Sequence, residues 1–377
     1  VRSPFDDSLL TTVPTGGAQH VDEALAVADG LSRDRDGWLS LPERLGILDR
    51  LASAMETRHE ALALLAASEG GKPLIDSRVE VTRAIDGIRL CIEAVRDDRG
   101  DVISVATTAA TLGRTAYTQK EPIGVVVAVS AFNHPLNLIV HQVGPAVAAG
   151  CPVIVKPAGD TPLSCLNFVQ MLHDAGLPPA WCQAIVTDNN DTATVLVTDP
   201  RVAFFSFIGS ARVGWMLRSK LAPGTRCALE HGGVAPAILL DDFEFDSTVA
   251  SIAKGGFYHA GQVCVSVQRI FVPASRAREF AAALAETAGK LVVGDPTDEA
   301  TEVGPLIRPA EVERVDEWVR EAVDAGGELL TGGKRKSEHC YLPTVVLDPP
   351  ADARVSTQEV FGPVVCVYGY DDVRDAI

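Results

Sequence analysis

The chain has 377 residues, of which 47% are hydrophobic and 22% are charged, and its formal net charge is −17 at pH 7. This composition is typical of a globular protein with a large core, and the length predicts two or more lobes. Nucleic acids and anionic membranes bind basic surfaces, so we expect neither as a partner of so acidic a chain.

The eight cysteines are scattered and include no C-x-x-C pair, which predicts neither a metal site nor a redox dithiol. Such spacing is typical of reduced thiols, and the first ten residues contain no apolar core of a secretory signal. The most apolar stretch, 136–155, is interrupted by polar residues and proline, which disfavours a membrane span. We therefore expect a cytoplasmic protein.

The first hundred residues predict helices, because apolar residues recur at three- and four-residue steps within 21–28 and 41–67. Residues 101–120 are rich in Thr and Val without a helical period, which predicts extended structure compatible with a hairpin. Strands are then predicted at 123–129, 152–155, 183–186, 202–207 and 226–229, with helices at 136–149, 161–176, 191–197 and 213–221 between them. Such alternation predicts right-handed crossovers and a parallel sheet.

After Glu230 the alternation of strands and helices begins again. Strands are predicted at 237–240 and 270–273, with helices at 245–258 and 275–291, which indicates a second α/β lobe. The glycine pairs near residues 326–333 predict a surface connection. The expected fold class is therefore α/β, with two lobes built on parallel sheets and a small extended bridging segment.

Cys264 lies in the segment FYHAGQVCVSVQR, residues 257–269. A cysteine in a chain of this kind is a candidate nucleophile, because the thiolate is the most nucleophilic side chain near neutral pH. The alternative is an inert core residue, since cysteine also behaves as a small hydrophobe. Taken alone, the residue leaves both interpretations open.

Several polar residues follow predicted strands, where ligands bind in parallel sheets. No G-x-G-x-x-G follows a strand, but Gly209 and Ser210 open GSARVG and can hold a phosphate at a helix start, or form an ordinary turn and cap. Lys156 in VIVKPAGDTP can reach ribose hydroxyls or phosphate, or is a surface lysine. Asn133 in SAFNHPLN can donate to an oxyanion, or is a turn residue.

Two glutamates can likewise be interpreted either as functional or as ordinary loop residues. Glu230 in ALEHGG lies between a strand and a glycine pair, and Glu359 lies in QEVFGPVV. A carboxylate at a strand end can orient water or accept a proton, whereas the alternative is a solvated loop residue.

The motifs EPIGVVVAVSAFNHP, VIVKPA, FIGSARVG, LEHGG, GQVC and QEVFGPV, in this order, resemble the signatures of the aldehyde dehydrogenase superfamily. The resemblance covers nearly the whole chain. It implies that Cys264 attacks the aldehyde carbon, that Asn133 and the Cys264 main-chain N–H hold the oxyanion, and that a thioester follows hydride transfer. It further implies that Glu230 activates the water that hydrolyses this thioester.

The same resemblance implies an NAD or NADP site. Lys156 and Glu359 would anchor ribose hydroxyls, Ser210 would meet the pyrophosphate, and Phe132 with Phe361 would line the nicotinamide and substrate side. The implied cofactor-binding residues are Ser130, Phe132, Lys156, Gly209, Ser210, Gly214, His231, Glu359 and Phe361.

Some positions depart from the family pattern. NAD-preferring members often have a glutamate three residues after the lysine, whereas this chain has Gly159, so repulsion of a 2′-phosphate is absent at this position and either NAD or NADP is compatible. Arg212 can assist that phosphate. His231 replaces the usual leucine after the general base. Val263 precedes the nucleophile where some members acting on phosphorylated aldehydes have arginine, which disfavours that substrate type.

The resemblance also implies the organisation of the chain. Residues 1–100 and 121–230 would form the NAD(P)-binding domain, 101–120 the bridging and oligomerisation strands of a homodimer or homotetramer, and 231–377 the catalytic domain. Family members continue beyond Ile377 into a segment that closes the substrate tunnel and pairs subunits. Without that segment, we expect an exposed sheet edge.

The favoured function is oxidation of a small aldehyde to its carboxylate with NAD(P). Two alternatives stay open: an acylating enzyme that passes the thioester to CoA, and a catalytically silent relative kept for binding. Glu230 disfavours the acylating alternative, because a base for water is what such enzymes tend to lack. The sequence does not identify the aldehyde.

Overall fold

The computed structural model describes residues 1–377. Its helices are α1 (Ala18–Arg33), α2 (Leu41–Thr57), α3 (His59–Gly70), α4 (Leu74–Arg96), α5 (Asn137–Ala149), α6 (Leu163–Asp174), α7 (Asn190–Thr198), α8 (Ala211–Arg218), α9 (Phe245–Phe257), α10 (Ala274–Lys290), α11 (Pro309–Asp324), α12 (Arg354–Thr357) and α13 (Val373–Ala376). Its strands are β1 (Val102–Ile103), β2 (Ala116–Tyr117), β3 (Val125–Val129), β4 (Val153–Lys156), β5 (Cys182–Ala184), β6 (Val202–Ile208), β7 (Arg226–Glu230), β8 (Pro236–Ile238), β9 (Arg269–Pro273), β10 (Glu328–Thr331), β11 (Thr344–Leu347) and β12 (Val364–Tyr370).

The first sheet contains five parallel strands in the order β5-β4-β3-β6-β7. Strand β3, with the sequence VVVAV, lies in the middle and is almost entirely buried, as its unbroken apolar run predicts. The chain adds β4 and β5 on one side of β3 and then returns to add β6 and β7 on the other. This reversal creates a topological switch point between β3 and β6, where a crevice opens at the carboxyl ends of the strands.

Apolar helix faces cover both sides of this sheet. One core joins α2 to α6 with the strand residues that face them, and a smaller core joins α1, α7 and α8 to the opposite face. The crevice is therefore supported on both sides by packed helices, which fixes the positions of the strand ends.

The second sheet has the order β10-β11-β12-β9-β8 and its own core of 33 buried residues. Four of its strands are parallel, but β10 pairs with β11 in antiparallel register. Residues 326–333, predicted to be only a surface connection, thus contain the edge strand β10 between the two glycine pairs. The two lobes and their parallel sheets are confirmed, with this antiparallel edge as the difference.

The predicted extended segment at 101–120 forms a two-stranded antiparallel pair, β1 with β2. Its large apolar residues are exposed: Val102 by 82%, Tyr117 by 74% and Leu112 by 68%. No helix combines the length and the apolar sequence needed to span a membrane.

A buried carboxylate fixes the start of α5 near the crevice. Glu80 of α4 is fully buried, pairs with the equally buried Lys72, and accepts the main-chain N–H groups of Leu136 and Asn137 at 2.9 Å each. A carboxylate satisfies the free donors of a helix start and is favoured there by the helix dipole. Since α5 begins four residues after Asn133, this cap also anchors the Asn133 loop.

Candidate active site

The residues that follow four neighbouring strands of the first sheet meet at one edge. Ser130 follows β3, Lys156 ends β4, Gly209 follows β6 and Glu230 ends β7. Main-chain hydrogen bonds join them in pairs: the Ser130 N–H donates to the Lys156 carbonyl at 3.0 Å, and the Gly209 N–H donates to the Glu230 carbonyl at 3.1 Å. The sheet thus brings these predicted residues to the switch-point crevice.

The second lobe contributes two loops that precede parallel strands. Cys264 lies between α9 and β9, and Glu359 lies just before β12, the neighbour of β9. The buried Gln268 ties these loops together, because its Nε2 donates to the Gln358 carbonyl at 2.8 Å and its Oε1 accepts the Val360 N–H at 2.8 Å. Cys264 and Glu359 are therefore held at the same edge of the second sheet.

A direct hydrogen bond joins the two lobes at the site. The Nδ2 of Asn133, which is 4% exposed, donates to the main-chain carbonyl of Gln262 at 2.9 Å. Gln262 is itself fixed, because its side chain donates to the Pro305 carbonyl at 3.1 Å and accepts the Ile307 N–H at 2.9 Å. Asn133 is thus held two residues from Cys264, with a second amide hydrogen available for a ligand.

The turn before Cys264 has an uncommon backbone. His259, Ala260 and Gly261 have φ values of 49°, 54° and 71°, three successive left-handed residues. Such conformations are strained for residues other than glycine and cluster at functional sites. At Gly261 a Cβ atom would collide with the carbonyl of Gly362, so the two loops approach closely only because this residue is glycine.

Cys264 is the only one of the eight cysteines that is exposed. Burial raises its pKa, the main-chain N–H groups of Cys264 and Val265 lower it, and the carboxylates of Glu359 and Glu230 raise it further. Glu359 and Glu230 therefore lie within electrostatic reach of the sulfur. The thiol is protonated near neutral pH and requires a base to become a nucleophile.

The Cys264 main-chain N–H makes no hydrogen bond to another main-chain group. It lies on the residue that carries the nucleophile, with the Asn133 amide held nearby by Gln262. Two donors in this arrangement can stabilise negative charge that develops on an oxygen bonded to the attacked carbon.

Glu359 packs against the Gly232 backbone so closely that a Cβ at that position would collide with its carboxylate. Burial raises the pKa of Glu359, whereas a hydrogen bond from the Gly233 main chain and the charge of Arg314 lower it. Its Oε1 is buried without a partner. Glu230, by contrast, is exposed to the crevice.

Several observations indicate that the crevice can hold a dinucleotide. The Oγ of Ser130 at the switch point is buried without a partner, as is the Glu359 Oε1. The Lys156 Nζ donates only to the adjacent Pro157 carbonyl, and burial lowers its pKa although Asp160 opposes this. A Cβ at Gly159 would meet nothing within 4 Å, so space remains beside Lys156. These groups are free to bind hydroxyls and phosphates.

His231 packs against residues of β6 and α8. The centroid of its ring lies 6.0 Å from that of Phe207 and 5.7 Å from that of Trp215. The His231 ring also lies so close to Gly214 that a Cβ at that glycine would collide with it. Because Gly214 has no side chain, the rings of His231 and Phe207 can pack directly against the backbone of α8. Ser210 is the residue before α8 and is exposed, and its side chain makes no capping hydrogen bond.

The two predicted aromatic residues also meet. The rings of Phe132 and Phe361 lie edge to face with centroids 5.8 Å apart, and Phe361 has a φ of 48°. Their contact brings an apolar wall from each lobe to the site between Asn133 and Glu359.

The whole chain matches one known protein family: the model of the aldehyde dehydrogenase family covers residues 1–377. The chain belongs to the aldehyde dehydrogenase family. It is 39% identical over 335 residues to 3-sulfolactaldehyde dehydrogenase of Priestia aryabhattai, which covers 89% of this chain and 70% of that relative.

Solved structures of aldehyde dehydrogenases have the same fold. Aldehyde dehydrogenase 21 of Physcomitrella patens, in complex with the reaction product succinate, matches with a TM-score of 0.95 and 34% identity over 100% of this chain and 78% of that chain. Glyceraldehyde-3-phosphate dehydrogenase GapN of Methanocaldococcus jannaschii, complexed with NADP, matches with a TM-score of 0.94 and 32% identity. The match covers 99% of this chain and 81% of that chain.

Membership confirms the predicted family, fold class and activity class. This aldehyde dehydrogenase is an NAD(P)-dependent oxidoreductase that converts an aldehyde to its acid. The positions of its predicted site residues agree with such chemistry, because Asn133, Glu230, Cys264 and Glu359 converge on one crevice.

The sequence interpretation missed the buried residues whose hydrogen bonds hold the loops of this aldehyde dehydrogenase site in place. Gln262 and Gln268 are buried and bond to distant main-chain groups, and Glu80 caps α5. A glutamine inside an apolar run, as in VSVQR, was a usable signal, since a buried polar side chain requires partners. Nothing in the sequence around Glu80 identifies the helix that it caps.

Proposed function

We propose that Cys264 is the nucleophile, Asn133 an oxyanion donor and Glu230 the general base in this aldehyde dehydrogenase. The Cys264 thiol first loses its proton to solvent, and the resulting thiolate attacks the aldehyde carbon, so a C–S bond forms and the carbonyl π electrons move to oxygen. The Asn133 amide and the Cys264 N–H stabilise that oxyanion. The observation that carries the proposal is the convergence of the only exposed thiol with the Asn133 amide and the Glu230 carboxylate.

The second half of the reaction needs a hydride acceptor and a water molecule. A nicotinamide held in the crevice would supply the hydride acceptor, and the oxyanion on the Cys264 adduct would then collapse to a thioester as the C–H electron pair leaves. Glu230 then removes a proton from water, the hydroxide attacks the thioester carbon, and the C–S bond breaks to release the acid. Exposure of Glu230 to the crevice gives it access to that water.

We propose that Lys156 and Glu359 bind ribose hydroxyls, and that Ser130, Gly209 and Ser210 border the pyrophosphate. Phe132, Phe361, His231 and Gly214 would shape the nicotinamide side. NADP is the favoured cofactor, because residue 159 is a glycine that supplies no carboxylate of its own, and a Cβ there would meet nothing within 4 Å. The exposed Arg212 supplies a positive charge in the first turn of α8.

The proposed substrate is a short aldehyde that carries an anionic group. The relatives act on 3-sulfolactaldehyde and on glyceraldehyde-3-phosphate, and another binds succinate as its product. A sulfonate or carboxylate is favoured over a phosphate, since Val263 stands where an arginine would serve a phosphorylated aldehyde.

We further propose the chain organisation that the resemblance implied. Residues 1–100 and 121–230 act as the cofactor domain, and 231–377 as the catalytic domain. The exposed apolar residues of β1 and β2 support a homodimer or homotetramer assembled through 101–120, and we propose a cytoplasmic location. Sedimentation of the purified protein tests the assembly.

The first experiment follows reduced-cofactor absorbance with short aldehydes and either NAD or NADP. The Cys264→Ser variant should lose oxidation while retaining cofactor binding, and Cys91→Ser, at a half-buried thiol of α4 that packs against Gly144 of α5, is the matched control. Survival of activity in Cys264→Ser would remove the nucleophile assignment. Absence of turnover in the wild type would favour the catalytically silent alternative.

The Glu230→Gln variant tests the base. It should produce one equivalent of reduced cofactor in a burst and then stall with acyl-enzyme, because water is no longer activated; loss of a general base typically costs about 10² to 10⁴ in rate. Weakened cofactor binding without a burst would show that Glu230 has a different role. A requirement for CoA in wild-type turnover would support the acylating alternative.

A further inference from the structure

His134, the residue after Asn133, contacts two rings of the second lobe. Its imidazole stacks on the Tyr258 ring with centroids 6.1 Å apart, and it meets the His259 ring edge to face at 6.3 Å. Aromatic rings attract one another at such separations. We call these three residues the ring stack. It joins the loop that carries Asn133 to the left-handed turn that precedes Cys264.

Hydrogen bonds hold the residues on either side of His134. The Asn133 amide donates to the Gln262 carbonyl at 2.9 Å. The Leu136 main-chain N–H donates to the Glu80 carboxylate, also at 2.9 Å. The His134 side chain between them is held by the ring stack. The position of the Asn133 amide therefore depends on ring contacts as well as on hydrogen bonds.

The His259 ring occupies an environment that is costly for a polar side chain. It is fully buried, and neither of its nitrogen atoms has a hydrogen-bond partner. Burial and then the charge of Lys72 lower the pKa of His259, an effect that the Asn133 main chain opposes. The imidazole is therefore neutral near neutral pH. Because buried polar atoms without partners cost free energy, an apolar side chain would be cheaper here unless the turn itself favours histidine.

The backbone of the turn supplies that reason. His259 has a φ of 49° and Ala260 a φ of 54°. Histidine is found in the left-handed region more often than most residues with a side chain, so it presents a ring from this turn at a small backbone cost. Strained residues cluster at functional sites, and this one connects the turn before the nucleophile with the Asn133 loop.

An ion pair fixes the outer side of the ring stack. The Lys254 ammonium lies 4.9 Å from the centroid of the Tyr258 ring and pairs with the buried Asp76 at 2.6 Å. A cation over an aromatic face is attracted to it. Since Lys254 belongs to α9 and Asp76 to α4, this pair ties the Tyr258 side of the stack to both lobes.

We propose that His134 and His259 are positioning residues for the oxyanion donor Asn133. Their ring contact holds the Asn133 loop against the turn before Cys264, so that the free amide hydrogen of Asn133 stays directed at the oxygen of the attacked aldehyde. A catalytic group displaced by about 1 Å loses much of its effect, so loss of the ring contact slows the chemical step and leaves cofactor binding intact. This inference rests on the proposed role of Asn133 in aldehyde oxidation.

Two substitutions of His259 that differ in keeping a ring test the proposal. His259→Asn removes the ring and suits a left-handed backbone, and it should lower the single-turnover rate of cofactor reduction about 10- to 100-fold. His259→Phe keeps the ring, and Phe361 shows that this chain accepts phenylalanine at a φ of 48°. Its rate should therefore stay close to that of the wild type. The dissociation constants of NAD and NADP should be unchanged in both variants, which general loss of structure would not allow.

A double variant tests the pairing of the two rings. His134→Ala/His259→Asn should be no slower than the slower single variant, because both changes remove the same contact. His173→Asn is the control and should keep the wild-type rate, since this half-buried ring of α6 bonds the Cys182 carbonyl at 2.9 Å. If His259→Asn does not fold, His134→Ala and the ring-keeping His134→Phe provide the same comparison.

A wild-type rate in His259→Asn, an equal loss in His259→Phe, or additive losses in the double variant would overturn the role of the ring stack. Asn133→Ala separates that result from failure of the proposed function. A slow Asn133→Ala with a fast His259→Asn overturns the ring stack alone. A fast Asn133→Ala, or activity in Cys264→Ser, overturns the proposed function itself.

Discussion

The buried pair of Lys72 and Glu80 should control both stability and the geometry of the Asn133 loop. Both side chains are fully buried, and the Oε1 of Glu80 accepts the N–H groups of Leu136 and Asn137. The Glu80→Gln substitution keeps an oxygen for that cap but places an amide donor against the Lys72 ammonium. The variant thus removes the charge pairing and leaves the shape nearly unchanged.

Removing one partner of a buried ion pair costs about 3 to 5 kcal/mol, because the remaining charge stays desolvated. For lobes of this size, each kcal/mol lowers Tm by about 2 to 4 °C, so calorimetry should show a decrease of about 10 °C. At temperatures where the variant is folded, kcat should also fall, since α5 begins just after Asn133.

The double variant Lys72→Met/Glu80→Gln should recover most of the lost stability, because no buried charge remains. Glu299→Gln is the control: its carboxylate is 68% exposed and pairs with Arg78, so the change should leave Tm nearly unchanged. A Tm for Glu80→Gln close to that of the wild type, with no gain in the double variant, would refute this account.

Three further outcomes are expected. Glu359→Gln removes a negative charge that raises the pKa of Cys264, so alkylation of this thiol by iodoacetamide should reach its midpoint at lower pH; an unchanged midpoint would contradict the assigned coupling. Burial raises the pKa of Glu69 from 4.5 to about 7. The native state therefore binds that proton more tightly, and the free energy of unfolding should decline as pH rises from about 4.5 to about 7, by about 3 kcal/mol in urea titrations, a decline that Glu69→Gln should lack. Gly261→Ala should abolish turnover or folding, because its Cβ meets the Gly362 carbonyl; normal activity would show that the two loops can separate.

Local sequence patterns predicted much of this fold. The apolar run of β3 and the alternation of strands and helices up to Glu230 are confirmed to within a few residues, because buried strands and amphipathic helices are set by neighbouring side chains. Strand β10 was not predicted, since a four-residue edge strand between glycine pairs has the composition of a loop.

The candidate site was predicted in part. Motif order identified Asn133, Glu230 and Cys264, and the structure brings them to one crevice. The sequence could not show that Gln262 joins Asn133 to the Cys264 loop, or that Glu80 of α4 caps the start of α5. Such contacts join residues distant along the chain, and their formation depends on packing that no local pattern records.

The segment around Cys264 separates what the sequence determined about this protein from what only the tertiary structure decided. The sequence alone determined which residues carry the chemistry, because thiol, amide and carboxylate reactivity belongs to the side chains and their motifs. Only the tertiary structure decided that Cys264 is the exposed cysteine, that Glu359 and Glu230 raise its pKa, and that three left-handed residues form the turn before it. The reason is physical: exposure, charge coupling and backbone strain depend on distances across the two sheets, which are fixed only when both cores have packed.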